Sequence, residues 1–149
     1  MELDSLDGKR ISLEDYRGQA VIVHFFATWC EPCVGELKSL EMAARRHGKR
    51  LAILAVDVGE VDARVRSFFR MYPVSFPVLL DRDRTITKAW QVVALPTSFV
   101  LEPELSPVLF VKGELDWNDR DVDSALDETI KSPAEGEPAF HEREGGKRQ

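Results

Sequence analysis

Two stretches of the chain are apolar almost without a break: "AVIVHFFA" at 20–27 and "LAILAVDV" at 51–58. Runs of this length, rich in β-branched residues, read as strands covered on both faces. Between them, the residues from about Glu31 to His47 read as a helix that Gly48 ends. "VDARVRSFFRMY" (61–72) sets Val65, Phe68, Phe69 and Tyr72 at i, i+3, i+4 and i+7, which predicts an amphipathic helix. Pro73 and Pro77 then interrupt the chain before a short strand around 78–80. "RTITKAWQ" (84–91) reads as a short helix, and "TSFVLE" (97–102) and "PVLFVKG" (107–113) as two strands joined by a short loop. "NDRDVDSALDETI" (118–130) puts Val122, Ala125, Leu126, Thr129 and Ile130 on one face, with Asn118 or Asp119 as cap. At the start, the Asp-Gly turn in "LDGKRISL" (6–13) predicts a β-hairpin, and "LEDYRG" (13–18) one helical turn closed by Gly18.

This alternation predicts an α/β domain over 1–131, its sheet mostly parallel with an antiparallel edge and its helices on both faces. From Ser132 the composition turns to Pro, Gly and charge, with only Phe140 to offer a core, so 132–149 is expected to be a disordered tail. The 149-residue length suits a single domain with a real core. The net charge of −6 leaves no basic surplus for phosphates, so no nucleic-acid partner is expected. No apolar run approaches the roughly 18 residues of a membrane span. "MELDSLDGKR" lacks the basic end and apolar stretch of a secretory signal. The expectation is a cytoplasmic protein, or a trimmed form of an extracytoplasmic one, and a monomer.

The chemistry concentrates in "FFATWCEPCVGEL" (25–37), which holds both cysteines, Cys30 and Cys33. A zinc site would need about four ligands, and none of His24, His47 and His141 has ligand spacing to the pair. A structural bridge closing so small a loop restricts the unfolded chain weakly. Redox chemistry is the leading reading. The pair falls where a central strand runs into a helix, the end of the sheet at which open α/β folds gather their sites. Cys30 at the helix start is favoured as a thiolate by free N–H groups and the helix dipole. Pro32 suits the first helical turn. Cys33, one turn deeper, is expected to be less exposed. Cys30 is therefore the attacking thiol and Cys33 the resolving one.

"FATWCEPC" with "LPTSFVLE" resembles the thioredoxin superfamily, and more narrowly the TlpA/ResA-like thiol–disulfide oxidoreductases, extracytoplasmic bacterial proteins of which several reduce apocytochrome c. The resemblance continues through "AVDVGE" and "FPVLLDRDRTITKAW", over roughly residues 3 to 131. It implies a thioredoxin-like fold, a central mixed sheet with an N-terminal β-hairpin, and no organic cofactor, because the Cys30/Cys33 dithiol carries the electrons. It implies protein thiols and disulfides as substrates and an upstream thiol protein as electron donor. It also implies that Pro96 is cis beside the pair, within Leu95-Pro96-Thr97, and that Leu95 offers its backbone to a substrate peptide. Trp29 becomes a surface at the substrate groove; by itself it could equally be partial core. Glu60, in "VGE", becomes a residue that assists proton movement at Cys33; by itself it reads as a helix-start acid. Two departures stand out. Lys38 occupies a position where the family carries proline, and "EPELSPVLFVKG" lacks the common Gly-Lys turn.

Two further residues stand out. Glu31, between the cysteines, opposes a Cys30 thiolate and so favours a reducing pair, and it also suits the dipole at a helix start. His24 interrupts an apolar strand where thioredoxin has a buried acid and its TlpA/ResA-like relatives asparagine. It reads either as a proton shuttle for Cys33 or as a satisfied structural histidine. His47 reads as a helix-end residue, and Phe25 and Phe26 as core. Two rival functions are an AhpC/TSA-like peroxiredoxin and a metal carrier. The first would place its cysteine within Pro-x-x-x-Thr-x-x-Cys, but no proline lies four before Thr28 and Cys30 follows it by two. The second would need Cys-x-x-x-Cys and a distant histidine.

Overall fold

The computed structural model describes residues 1–131 and the backbone of 141–144. The chain begins with β1 (Glu2–Ser5) and β2 (Arg10–Ser12), an antiparallel hairpin followed by a 3-10 turn at Leu13–Tyr16. Ser12 and Asp15 cap that turn reciprocally, the serine side chain accepting a backbone N–H and Asp15 accepting the Ser12 N–H. Next come β3 (Ala20–Phe26), α1 (Glu31–His47), β4 (Leu51–Val58), α2 (Asp62–Met71) and β5 (Val78–Asp81). The chain continues with α3 (Thr85–Ala89), β6 (Thr97–Leu101), β7 (Pro107–Lys112) and α4 (Arg120–Lys131). Asp119 caps α4, accepting the N–H groups of Asp121 and Val122. Within the expected tail, β8 (His141–Glu144) has strand backbone parallel to β7. The rest of that expectation, 132–140 and 145–149, lies outside the described residues.

The strands form one sheet in the order β2-β1-β5-β4-β3-β6-β7-β8. β3, β4 and β5 run parallel, while β1 pairs antiparallel with β2 and β5, and β6 with β3 and β7. The sheet is therefore mixed, as the family resemblance implies, and less parallel than the element pattern alone suggests. The 82–96 connection spends its length on α3 and reaches Thr97 at the level of Phe25, the same end of the sheet at which β5 finishes. β6 must then run back antiparallel. The N-terminal hairpin joins the opposite edge, and exposed Arg82 bridges Asp4 of β1 (2.9 Å) to Asp62 of α2 (2.8 Å).

All seven residues of β3 are buried, so its alternating side chains feed two cores. Ile22 and Phe26 meet Leu37 and Leu40 of α1, Val65 and Phe69 of α2, and Val122 and Leu126 of α4. On the other face, Val21, Val23 and Phe25 meet Leu13, Tyr16, Ile86 and Trp90. The α2 stripe is narrower than its period suggests. Val65 and Phe69 are buried, but Phe68 is half-buried, and Tyr72 lies beyond the helix and is exposed. No helix among the described residues is long and apolar enough to cross a membrane.

Leu40 is wholly buried in the α1 layer. Leu40→Ala is expected to cost about 3 kcal/mol and to lower the melting temperature by about 10 °C, as read by thermal denaturation. A loss under about 2 °C would show that α1 packs loosely there.

Candidate active site

Residues 27–30 turn the chain from β3 into α1, with the Cys30 N–H donating to the Ala27 carbonyl (3.2 Å). Cys30 is the N-cap of α1, and its Sγ accepts the Cys33 N–H (3.3 Å). Cys30 and Cys33 are joined as a disulfide, with Cα atoms 5.3 Å apart. Cys30 keeps 7% exposure and Cys33 none, the asymmetry expected from the helix position. Glu31 and Pro32 occupy the exposed first turn. Trp29 is 69% exposed, which removes its core-packing reading.

The Leu95–Pro96 bond is cis. Thr97 pairs with Phe25 at the end of the sheet where β3 enters the redox turn, so the 95–97 segment and the pair share that end. Thr97 donates its hydroxyl to the Ala94 carbonyl (2.7 Å), and the Gly113 N–H donates to the Pro96 carbonyl (2.8 Å). Leu95 is half-buried, while Pro96 and Thr97 are buried.

His24 is fully buried and bonds Ser98 Oγ through Nδ1 (2.9 Å). Its ring stacks on Phe26. Nδ1 also lies 3.8 Å from Oε2 of Glu36, a carboxyl on the buried side of α1 one turn past Cys33. Trp117 donates Nε1–H to the same oxygen (2.5 Å). His24 Nε2 and Glu36 Oε1 have no hydrogen-bond partner among the described residues. Burial pushes the His24 pKa down to about 3. Burial pushes Glu36 up to about 8, against the hydrogen bonds from Trp117 and the Leu115 backbone. Neutral imidazole thus faces a largely protonated acid at pH 7.

Glu60 sits just past β4 and reaches the redox turn. Its Oε1 accepts the Thr28 N–H (2.8 Å) and its Oε2 the Thr28 hydroxyl (2.7 Å). Beside it lies Asp57 of β4, 1% exposed. Burial, reinforced by the Glu60 carboxylate, raises Asp57 to about 9. Burial also opposes ionisation of Glu60, but the neighbouring Asp57 carboxyl and the hydrogen bonds from Thr28 outweigh this and hold it below the usual carboxylate range.

Glu36, Asp57, Thr28 and Trp117 were not singled out by the sequence pattern. Two signals were nonetheless present. Glu36 shares the helical stripe of Cys33, Leu37 and Leu40, and Asp57 interrupts an apolar strand just as His24 does. His47, at the last turn of α1, is held by Asp123 of α4 (2.7 Å), a structural tie. No group of three or more His, Cys, Asp or Glu among the described residues is placed to hold a metal.

A disulfide at the N-terminus of a helix, at the end of a doubly covered strand and level with a cis-proline segment, defines a thioredoxin-like fold. The chain belongs to the AhpC/TSA family, whose model matches residues 1–106. It is similar to the thiol-disulfide oxidoreductase ResA of Bacillus subtilis, 40% identical over 114 residues, which are 76% of this chain and 64% of that protein. Among solved structures, it is similar to a thiol:disulfide interchange protein of the thioredoxin family from Chlorobium tepidum. That match has a TM-score of 0.73 and 26% identity, and covers 85% of this chain and 92% of that one. The exposed lipoprotein thioredoxin Etrx1 of Streptococcus pneumoniae matches with a TM-score of 0.72 and 25% identity, over 86% and 98% of the two chains. The chain spans 64% of the length of the Bacillus ResA proteins it matches.

The buried pair has a stability signature. The unfolded chain binds a proton at His24 below pH about 6.5, where the folded chain does not until about 3. Stability is therefore lost as pH falls through that window. The folded chain keeps the Glu36 proton up to about 8, so stability is lost as pH rises from about 4.5 to 8. His24→Asn is expected to flatten the acid limb of a melting temperature–pH profile, and Glu36→Gln the alkaline limb. Unchanged limbs would mean that neither group is held neutral.

Proposed function

We propose that this chain is a thiol–disulfide oxidoreductase that reduces disulfides of exported proteins, apocytochrome c among them, through Cys30 and Cys33. The observation that carries the reading is the asymmetric pair, an outer sulfur at a helix N-cap and an inner one without solvent exposure. The reduced Cys30 thiolate attacks a substrate disulfide. A Cys30–substrate bond forms, the substrate S–S bond breaks, and the departing thiolate takes up a proton. Cys33 then gives up its proton and attacks Cys30, releasing the second substrate thiol and leaving the intramolecular disulfide. Two electrons have passed, and no organic cofactor takes part. An upstream thiol protein restores the dithiol.

The substrate surface in this reading is formed by Trp29, Glu31, Pro32, Leu95, Pro96 and Thr97, with the backbone of Leu95 pairing the peptide. Glu31, one residue from Cys30, opposes the thiolate and so favours the reducing direction. Glu60 and His24 handle the proton exchanged at Cys33, where water has no access. The protein works outside the cytoplasm as a monomer, a placement supported by the exposed-lipoprotein description of the pneumococcal relative. The family match is shared with the peroxidase reading and does not choose between them. The Cys-x-x-Cys spacing favours disulfide exchange.

The reduction potential of the pair is expected near thioredoxin's value of about −270 mV. A value near −120 mV would make the protein an oxidant. Cys30→Ser should abolish insulin reduction, while Cys33→Ser should trap mixed disulfides with the physiological substrates. Peroxide consumption with a turnover matching insulin reduction would favour the peroxidase. Glu60→Gln should move a cysteine titration by about one unit, roughly 1.4 kcal/mol. Unchanged titrations and reductase rate would make Glu60 a helix-start acid only.

A further inference from the structure

The redox turn is gripped from β4 by a carboxylate that uses both oxygens at once, on the N–H and on the hydroxyl of Thr28. Only an ionised Glu60 offers two full acceptors. Yet Asp57 lies beside it, and Asp57 is buried, with almost no water to solvate a charge of its own. Asp57 sits between Phe26 of β3 and Leu80 of β5 in the sheet register, apolar on both sides. Neither of its oxygens has a well-formed hydrogen bond among the described residues. A buried aspartate so placed is tolerated when it is a neutral acid.

We propose that Asp57 is a positioning residue of the redox centre: it holds the proton that would otherwise neutralise Glu60, and so keeps the Glu60 clamp on Thr28 closed and Cys30 aimed. The assignment rests on the redox reading of Cys30/Cys33 and adds a residue that touches neither sulfur. Thr28 stands two residues before Cys30, inside the turn that the Cys30 N–H closes on Ala27. Loosening its grip moves the helix N-cap itself.

The charged groups around the pair fit this division of labour. From α2, Asp62 adds negative charge that disfavours a second anion at Asp57, and Arg64 favours the charge on Glu60. Arg82 is engaged by Asp62 and Asp4. The Arg84 guanidinium fills the place a side chain on Gly59 would need, and Gly59 has φ +69°. From the redox turn, Thr28 meets Glu60 with its N–H and its hydroxyl. One proton on Asp57 and one charge on Glu60 satisfy this surrounding. As pH rises through the Asp57 pKa, near 9, a second anion appears and the clamp is repelled.

The test uses the full chain and needs no substrate, so its failure is separate from failure of the proposed activity. Carboxyl 13C titration of the unmutated protein should show Asp57 losing its proton well above pH 7, with the Thr28 amide shifting at the same midpoint. In Asp57→Asn the amide should stay at its neutral-pH position up to pH 10. The pH midpoint of iodoacetamide alkylation at reduced Cys30 should then lie below the parent's by up to about one unit. Glu60→Gln should displace the Thr28 amide at every pH. An Asp57 midpoint below 5, or a Thr28 amide indifferent to Asp57 ionisation, overturns the proposal. The carbon titration decides this even if a variant fails to fold.

Discussion

β3 has no surface, and the rest of the structure follows from that constraint. Every side chain from Ala20 to Phe26 must be covered, so α1 lies across one face while the 3-10 turn and α3 close the other. Because α1 starts immediately past the strand, its N-terminus is delivered to the end of the sheet with its unpaired N–H groups and positive dipole end in place. Cys30 occupies that position, and the same packing that buries Leu37 and Leu40 carries Cys33 out of reach of water. The chemical difference between two cysteines in one helical turn thus comes from the packing of the helix rather than from any special neighbour.

A dry strand also dictates how polar groups beneath the helix behave. Beneath α1, His24 faces Glu36 on the side of β6, where Ser98 lies, and Asp57 faces Glu60 on the side of β4. Burial pushes Glu36 and Asp57 up and the His24 imidazole down, so these three groups settle into neutral forms. Glu60 is the exception: the neighbouring Asp57 carboxyl and the donors of Thr28 in the redox turn hold it ionised. One buried group beside each acid would be a packing accident in an apolar layer. Of the two pairs flanking the strand, only Asp57 and Glu60 reach the turn that carries Cys30, through Thr28.

The chain's own pattern determined a good deal: the two buried strands, the helix from Glu31 to His47 with its glycine end, the cysteine pair at its start, and which of the two sulfurs is the more deeply buried. These are local properties. A strand covered on both faces must be apolar throughout, a helix must repeat near 3.6 residues, and a thiol at a helix start gains its character from the first turn. The direction of β6, the docking of the hairpin on β5, the exposure of Tyr72, and the partners of His24, Glu36 and Asp57 belonged to the tertiary structure alone. Each depends on residues far apart in the chain, as Asp57 meets Phe26 only through strand register and Glu36 meets Trp117 only when α1 packs over the end of β7. A carboxyl in an apolar run looks the same in sequence whether it is solvated, paired or protonated. Which of these it is depends on the neighbours that folding brings to it, because burial and partner charge set its ionisation and neither is written in local spacing.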